Sequence, residues 1–224
     1  AEVDVQLRRR LTAADLVGFD DVVLATGVTP RIPDVKGIDH PKVVTYLDVL
    51  RDHVSVGSTV AVMGAGGIGF DVAEYLTQSG PSATVTPDRF YAEWGIDTSY
   101  SNRGGLTQVH LERPPRKITL LQRKHSKVGG GLGKTTGWIH RTELKKRGVD
   151  MVPGVTYESI DDAGLHMTID DQPVVLDVET IVVCTGQEPQ RELLADLEAA
   201  GATVHVIGGA DVAAELDAKR AIKQ

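Results

Sequence analysis

An α/β fold around a central parallel sheet is predicted by three features of the 224-residue sequence. Short continuous apolar runs recur, at 59–63, 117–121 and 180–184 among others, as expected of strands covered on both faces. These runs alternate with segments of helical periodicity, the order that builds a parallel sheet with crossover helices. A glycine-rich turn joins the clearest run to an amphipathic helix, and a later stretch of short alternating bursts predicts a small antiparallel meander.

Taken in order, residues 3–7 alternate like the end of a strand. Asp21-Val22-Val23-Leu24-Ala25-Thr26-Gly27 reads as a short buried strand stopped by glycine, and Thr29-Pro30-Arg31-Ile32-Pro33 as a proline-stiffened extended connector. A helix is expected over 45–52. Thr59-Val60-Ala61-Val62-Met63 is the clearest strand, and 70–78 places Val72, Ala73 and Leu76 at helical spacing. Residues 81–115 carry Pro, Ser, Asn and Gly with little periodicity and read as an insertion, of a length that is usually functional or mobile. Strand 117–121 follows, then a helix over 135–147 ended by Gly148, then strand 149–152. The meander spans 155–177. Two more strands, 180–186 and 204–209, end in glycine, and a helix over 211–221 is cut short at Gln224.

The sequence echoes itself once. Val23-Leu24-Ala25-Thr26-Gly27-Val28-Thr29-Pro30 matches Val182-Val183-Cys184-Thr185-Gly186-Gln187-Glu188-Pro189 in type and order. Either these are two ordinary buried strands with turn residues, or each returns the chain from one nucleotide-binding domain to its neighbour.

Gly64-Ala65-Gly66-Gly67-Ile68-Gly69 satisfies G-x-G-x-x-G in the context that gives the motif meaning, after a strand and opening a helix. Gly64 permits the tight turn, Gly66 the approach of a pyrophosphate, and Gly69 close helix–strand packing, while the helix N-terminus offers free N–H groups to phosphate. Gly64, Ala65, Gly66, Gly67 and Ile68 are therefore candidate pyrophosphate residues. An NAD site usually has an acidic residue at the end of the second strand to bond the ribose 2′-OH. Here Gln122-Arg123-Lys124 follows Leu121, and Arg123 and Lys124 suit a 2′-phosphate. One charge-assisted bond of about 1.5–3 kcal/mol is about a tenfold or larger preference for NADPH over NADH. The alternative is two basic residues on a solvated loop.

The formal net charge of -7 argues against general nucleic-acid binding. The single cysteine, Cys184, excludes an internal disulfide and a four-thiolate metal or cluster site, and within its apolar run it reads as a core residue. No metal-type spacing links His110, His125 and His140, and His166 and His205 read as structural. No run spans a membrane and no signal peptide opens the chain, so a cytoplasmic protein is expected. Opening on Ala1-Glu2-Val3-Asp4 suits a fragment or a processed product. Gly133-Lys134-Thr135 resembles the tail of a P-loop, but Val128 stands where that motif needs glycine. Gly129-Gly130-Gly131 is expected to form a flexible or ligand-facing loop.

Several further segments carry a resemblance: Gly37-Ile38-Asp39-His40-Pro41-Lys42-Val43, Tyr46-Leu47-Asp48-Val49-Leu50-Arg51-Asp52, Glu93-Trp94-Gly95-Ile96-Asp97, Leu121-Gln122-Arg123-Lys124, Gly131-Leu132-Gly133-Lys134-Thr135-Thr136-Gly137-Trp138-Ile139-His140-Arg141-Thr142 and Gly186-Gln187-Glu188-Pro189. With Ala25-Thr26-Gly27 and the glycine motif, they make the chain resemble the C-terminal part of the bacterial NADPH-dependent 2,4-dienoyl-CoA reductases, flavoproteins related to old yellow enzyme. The resemblance implies a three-part oxidoreductase. A barrel domain carries FMN, a [4Fe-4S] cluster and the dienoyl-CoA site, a second domain binds FAD, and a third binds NADPH; the substrate is an unsaturated fatty acyl-CoA in β-oxidation.

The same resemblance implies that 1–41 and 185–224 are two segments of a partial FAD-binding domain and 42–184 the NADP(H)-binding domain. Thr26 and Gly27 would lie beside the flavin, Gly209 and Asp211 would belong to the second FAD motif, and Gly186 would lie near the nicotinamide. The barrel, its FMN and its cluster would precede this chain or sit on a flavin-bearing partner, and the first FAD glycine motif is absent. Residues 81–115 would cover the nicotinamide or contact the barrel. No acid–base residue is expected, because the protein's work in such a step is positioning. Two other readings stay open: an NADP(H)-binding module without catalysis, and an amine dehydrogenase-like or disulfide reductase-like flavoprotein, the lone Cys184 arguing against the dithiol version.

Overall fold

The structure is a computed structural model that describes residues 2–214 and 218–223. It divides into two compact units, Ile32–Gly186 and a smaller one of Ala1–Arg31 with Gln187–Gln224.

The larger unit is built on a five-stranded parallel sheet. Its strands are β3 (Val43–Thr45), β4 (Thr59–Met63), β5 (Lys117–Leu121), β6 (Asp150–Val152) and β10 (Thr180–Val183), in the order β3-β10-β4-β5-β6. Alternate residues of a strand face opposite sides. Val60, Val62, Ile118, Leu120 and Val182 pack with the helices α1 (Tyr46–Leu50), α2 (Gly67–Thr77) and α4 (Gly137–Lys146), through Val49, Phe70, Val72, Ala73, Leu76 and Leu144. Ala61, Met63, Leu121 and Ile181 face the other way, onto the antiparallel meander β7 (Val155–Asp161), β8 (Gly164–Ile169) and β9 (Gln172–Leu176). The apolar runs are continuous because both faces are covered.

Residues 81–115 are an ordered excursion. It holds α3 (Pro87–Trp94), started by proline in the first turn and ended by Gly95 in the left-handed conformation. Its inward residue is a carboxylate, Glu93, with a 4% exposed side chain. Glu93 pairs with Arg89 at 2.9 Å and with Arg147 at 2.7 Å, and Arg147 also holds Glu143 at 2.5 Å. Lys146 bonds the Glu93 carbonyl and stands 4.0 Å over the Trp94 ring. The excursion leaves the end of α2 and returns at the start of β5, and it is anchored to the last turn of α4. All three points lie at the amino edge of the sheet, opposite Gly64, so these anchors do not place it over the glycine turn.

The smaller unit pairs β1 (Asp21–Leu24) with β12 (Thr203–Val206) in parallel. Val22, Leu24, Val204 and Val206 pack with Leu16 and with Leu194 and Leu197 of α5 (Leu194–Ala199). The two echoed segments meet here: β2 (Val28–Pro30) runs antiparallel to β11 (Gln187–Pro189), just inside the two points where the chain passes between units. Those points are 31/32 and 186/187.

Two expected elements differ. Residues 3–7 form no strand; Val3, Val5 and Leu7 are exposed, with no partner strand among the described residues. Of the helix expected over 211–221, the structure shows α6 (Ala218–Lys223), while 211–214 are not helical and 215–217 lie outside the described residues.

Candidate functional site

In the larger unit the chemistry gathers at the carboxyl edge of the sheet. The strand order changes direction at β4: β5 follows on one side, while β10, much later in sequence, lies on the other. Ligands of open α/β sheets bind at such a switch point. The glycine turn stands there, Gly64 closing β4 and Gly66 capping α2.

The four glycines divide into two pairs. At Gly64 (φ +108°) a Cβ would lie 2.3 Å from the Cys184 carbonyl oxygen, and at Gly69 it would lie 1.9 Å from the Gly64 carbonyl oxygen. These two let backbone meet backbone. At Gly66 and Gly67 a Cβ would meet nothing within 4 Å, and both residues are exposed. The turn is thus bare on its outer side, beside the unbonded N–H groups of the first turn of α2. A pyrophosphate fits that shape and polarity, with Ala65 and Ile68 half-buried beside it.

Next to it, Gln122 shapes the loop after β5. Its side-chain amide donates to the carbonyls of Lys124 (2.9 Å) and Ser126 (2.7 Å), and its Oε1 accepts from the Gly129 amide at 3.2 Å. Gly154 donates to the Lys124 carbonyl at 3.1 Å. Arg123 and Lys124 are exposed on this braced loop and form no ion pair among the described residues. Gly186, exposed with φ +111°, follows β10 on the other side of Gly64. Cys184 is buried, and burial pushes its thiol up to about 12, so at neutral pH it is a neutral core group.

Gly129 is not the flexible or ligand-facing residue expected from its triplet. It is buried with φ +68°, a Cβ would lie 2.5 Å from Phe70, and Arg141 holds its carbonyl at 2.9 Å. Gly130 and Gly131 are exposed.

The smaller unit gathers its own candidates. Thr26 and Gly27 follow β1, and Gly208, Gly209, Ala210 and Asp211 follow β12, so all stand at the same carboxyl edge of the parallel pair. A Cβ on Gly209 would lie 2.7 Å from Val28 and 3.2 Å from the Gly27 carbonyl carbon, so the two turns touch. Thr26 donates to the Gln190 carbonyl, and Arg191 donates to the carbonyls of Ala210 and Asp211. His205 pairs with Asp21 here, and His166 with Asp161 on the meander, both at 2.8 Å. Among the described residues no helix is long and apolar enough to cross a membrane.

Sequence reasoning missed two groups. One is the buried Glu93–Arg147–Glu143 set. The other is Tyr157, half-buried on β7, whose hydroxyl reaches the Leu121 carbonyl at 3.5 Å. Its only trace in the sequence is a bulky aromatic two residues after Val155.

A switch-point glycine turn on a parallel sheet, beside a basic loop, defines a dinucleotide-binding domain of the Rossmann type. The chain belongs to the pyridine nucleotide-disulphide oxidoreductase family, whose profile matches residues 3–220. This is a family of flavin-dependent oxidoreductases that bind FAD and NAD(P). Among curated relatives, a metal reductase of Desulforamulus reducens is 26% identical over 217 residues, covering 93% of this chain and 31% of its own. A cinnamate reductase of Clostridium sporogenes is 40% identical over 68 residues, covering 30% of this chain and 10% of its own. Among solved structures, 2-naphthoyl-CoA reductase aligns with a TM-score of 0.71 at 20% identity, over 94% of this chain and 27% of that one. At that identity the likeness shows the fold. The chain spans about a third or less of the length of each of these three proteins.

Proposed function

We propose that this chain is the NADPH-binding portion of a flavin-dependent oxidoreductase that resembles 2,4-dienoyl-CoA reductase and reduces unsaturated fatty acyl-CoA. Gly64, Ala65, Gly66, Gly67 and Ile68 take the pyrophosphate, Arg123 and Lys124 the 2′-phosphate, and Gly186 flanks the nicotinamide half. Thr26, Gly27, Gly209 and Asp211 are the part of the FAD site that this chain holds. When bound, NADPH supplies hydride to FAD. The chain's own residues bind and orient the two dinucleotides. A barrel with FMN and a [4Fe-4S] cluster, supplied by a longer polypeptide or a partner chain, does the chemistry on the acyl-CoA.

The observation that carries the NADPH reading is the loop after β5. It is braced by Gln122, ends the strand next to the glycine turn, and presents two cations where a carboxylate would select NAD. Two curated relatives are reductases by name, and the resemblance of segments such as 93–97 and 131–142 carries the acyl-CoA class.

Replacing Arg123 and Lys124 together by Ala tests the assignment by fluorescence titration. Loss of charge-assisted bonds should weaken NADPH by about tenfold or more and NADH by less than about twofold. Equal loss for both nucleotides, or none, removes the pair from the 2′-phosphate site. An absorbance spectrum of the same preparation reports on flavin: a bound yellow chromophore supports the oxidoreductase half, and a colourless chain that binds NADPH is a nucleotide module that needs its partner.

A further inference from the structure

Tyr157 stands apart from the other meander residues that face the sheet. Its ring packs with the cluster of Met63, Leu121, Val155 and Ile181, a task phenylalanine would perform equally well. Its hydroxyl donates to the carbonyl of Leu121, the last residue of β5. That carbonyl also accepts from the Gly64 amide at 3.0 Å. The Gly64 amide and the Arg123 charge both act to lower the pKa of the phenol. Burial is the largest influence and pushes the Tyr157 phenol well above the ordinary tyrosine range, so the group is a neutral donor.

One hydroxyl therefore sits where the ends of β4, β5 and β10 converge, beneath the switch point. A buried tyrosine hydroxyl is kept where it finds a partner. Here the partner is the peptide unit that sets the direction of the chain into Gln122, Arg123 and Lys124. The brace comes from the opposite face of the sheet to α2, so it can hold the strand end without occupying space above the glycine turn.

We propose that Tyr157 is a positioning residue for nucleotide specificity: through the Leu121 carbonyl it fixes the approach of Arg123 and Lys124 to a 2′-phosphate. The inference rests on the reading that these two side chains take that phosphate. The hydroxyl acts on discrimination between NADPH and NADH more than on affinity for the shared pyrophosphate, which the turn's own glycines shape.

The test is Tyr157→Phe, which keeps the ring and removes the donor. Nucleotide binding is measured by calorimetry for the unaltered chain and the variant, with NADPH and with NADH. Loss of one hydrogen bond should weaken NADPH by about three- to tenfold, with NADH changed by less than about twofold. Equal weakening of both nucleotides would make Tyr157 a structural brace and overturn the proposal, as would unchanged binding of both. If the unaltered chain itself shows no preference for NADPH, the underlying phosphate assignment fails instead. A second readout needs no variant to fold. The ring-carbon NMR signal of Tyr157, in tyrosine-labelled unaltered chain, should move with 2′,5′-ADP and not with 5′-AMP; a signal equally indifferent to both would overturn the proposal.

Discussion

Arg147→Ala should cost far more stability than a surface arginine would. The side chain is 5% exposed and sits between two carboxylates, Glu93 at 4% and Glu143 at 9% side-chain exposure. With Arg89 the set holds two positive and two negative charges. Removing Arg147 leaves one net negative charge buried. Glu93 keeps Arg89, but Glu143 loses the one side-chain partner it has among the described residues, its Oε2 already being buried without a hydrogen bond. Breaking a buried pair from one side costs about 3–5 kcal/mol. At about 2–4 °C per kcal/mol for a unit of this size, the melting temperature should fall by about 6–20 °C. Scanning calorimetry measures it. The loss should also free the excursion locally, because α3 is tied to α4 through this set, so chymotrypsin should cut at Phe90, Tyr91 or Trp94 faster in the variant. A fall of less than about 3 °C, the value of an exposed pair, would refute the account of Glu93 as the anchor.

Other expectations follow from the same geometry. Gly69→Ala places a Cβ on the Gly64 carbonyl and should destabilise by about 1–3 kcal/mol or more in urea unfolding. Gly67→Ala adds its methyl to open space, so it should leave stability within about 0.5 kcal/mol of the original while weakening NADPH binding; a large loss of stability there would contradict the division of the glycines. Glu74 has its pKa raised, first by burial and then by Glu143, with His140 opposing. A raised carboxyl pKa in the folded state stabilises below the unfolded pKa, and that contribution is lost as pH rises through the folded value. Glu74→Gln should therefore raise the melting temperature at pH 8 by more than it does at pH values below the ordinary carboxylate range, and a gain independent of pH would refute it.

Much of the larger unit was legible in the sequence because its strands are covered on both faces. Residues 60–63, 181–183 and, Thr119 aside, 118–121 are apolar throughout for that reason, and the glycine turn needs Gly64 and Gly69 for contacts that no side chain could permit. The meander was legible from its alternation, which one covered face imposes. The anchor of α3 was not legible, because the residue that this helix buries is a carboxylate, Glu93. It misread 3–7, because alternation makes a strand only where a neighbour pairs with it. Gly129 was ambiguous, since a glycine triplet looks the same whether it faces solvent or Phe70. Tyr157 was invisible as a site residue because its position depends on three strand ends, at 63, 121 and 183, that only folding brings together.

The most direct test of the central claim is a calorimetric titration of the purified chain with NADPH and, separately, with NADH. The account predicts saturable binding of NADPH at least about tenfold tighter than NADH, from one or more charge-assisted bonds to the 2′-phosphate. Equal affinity for the two, or tighter binding of NADH, would contradict it.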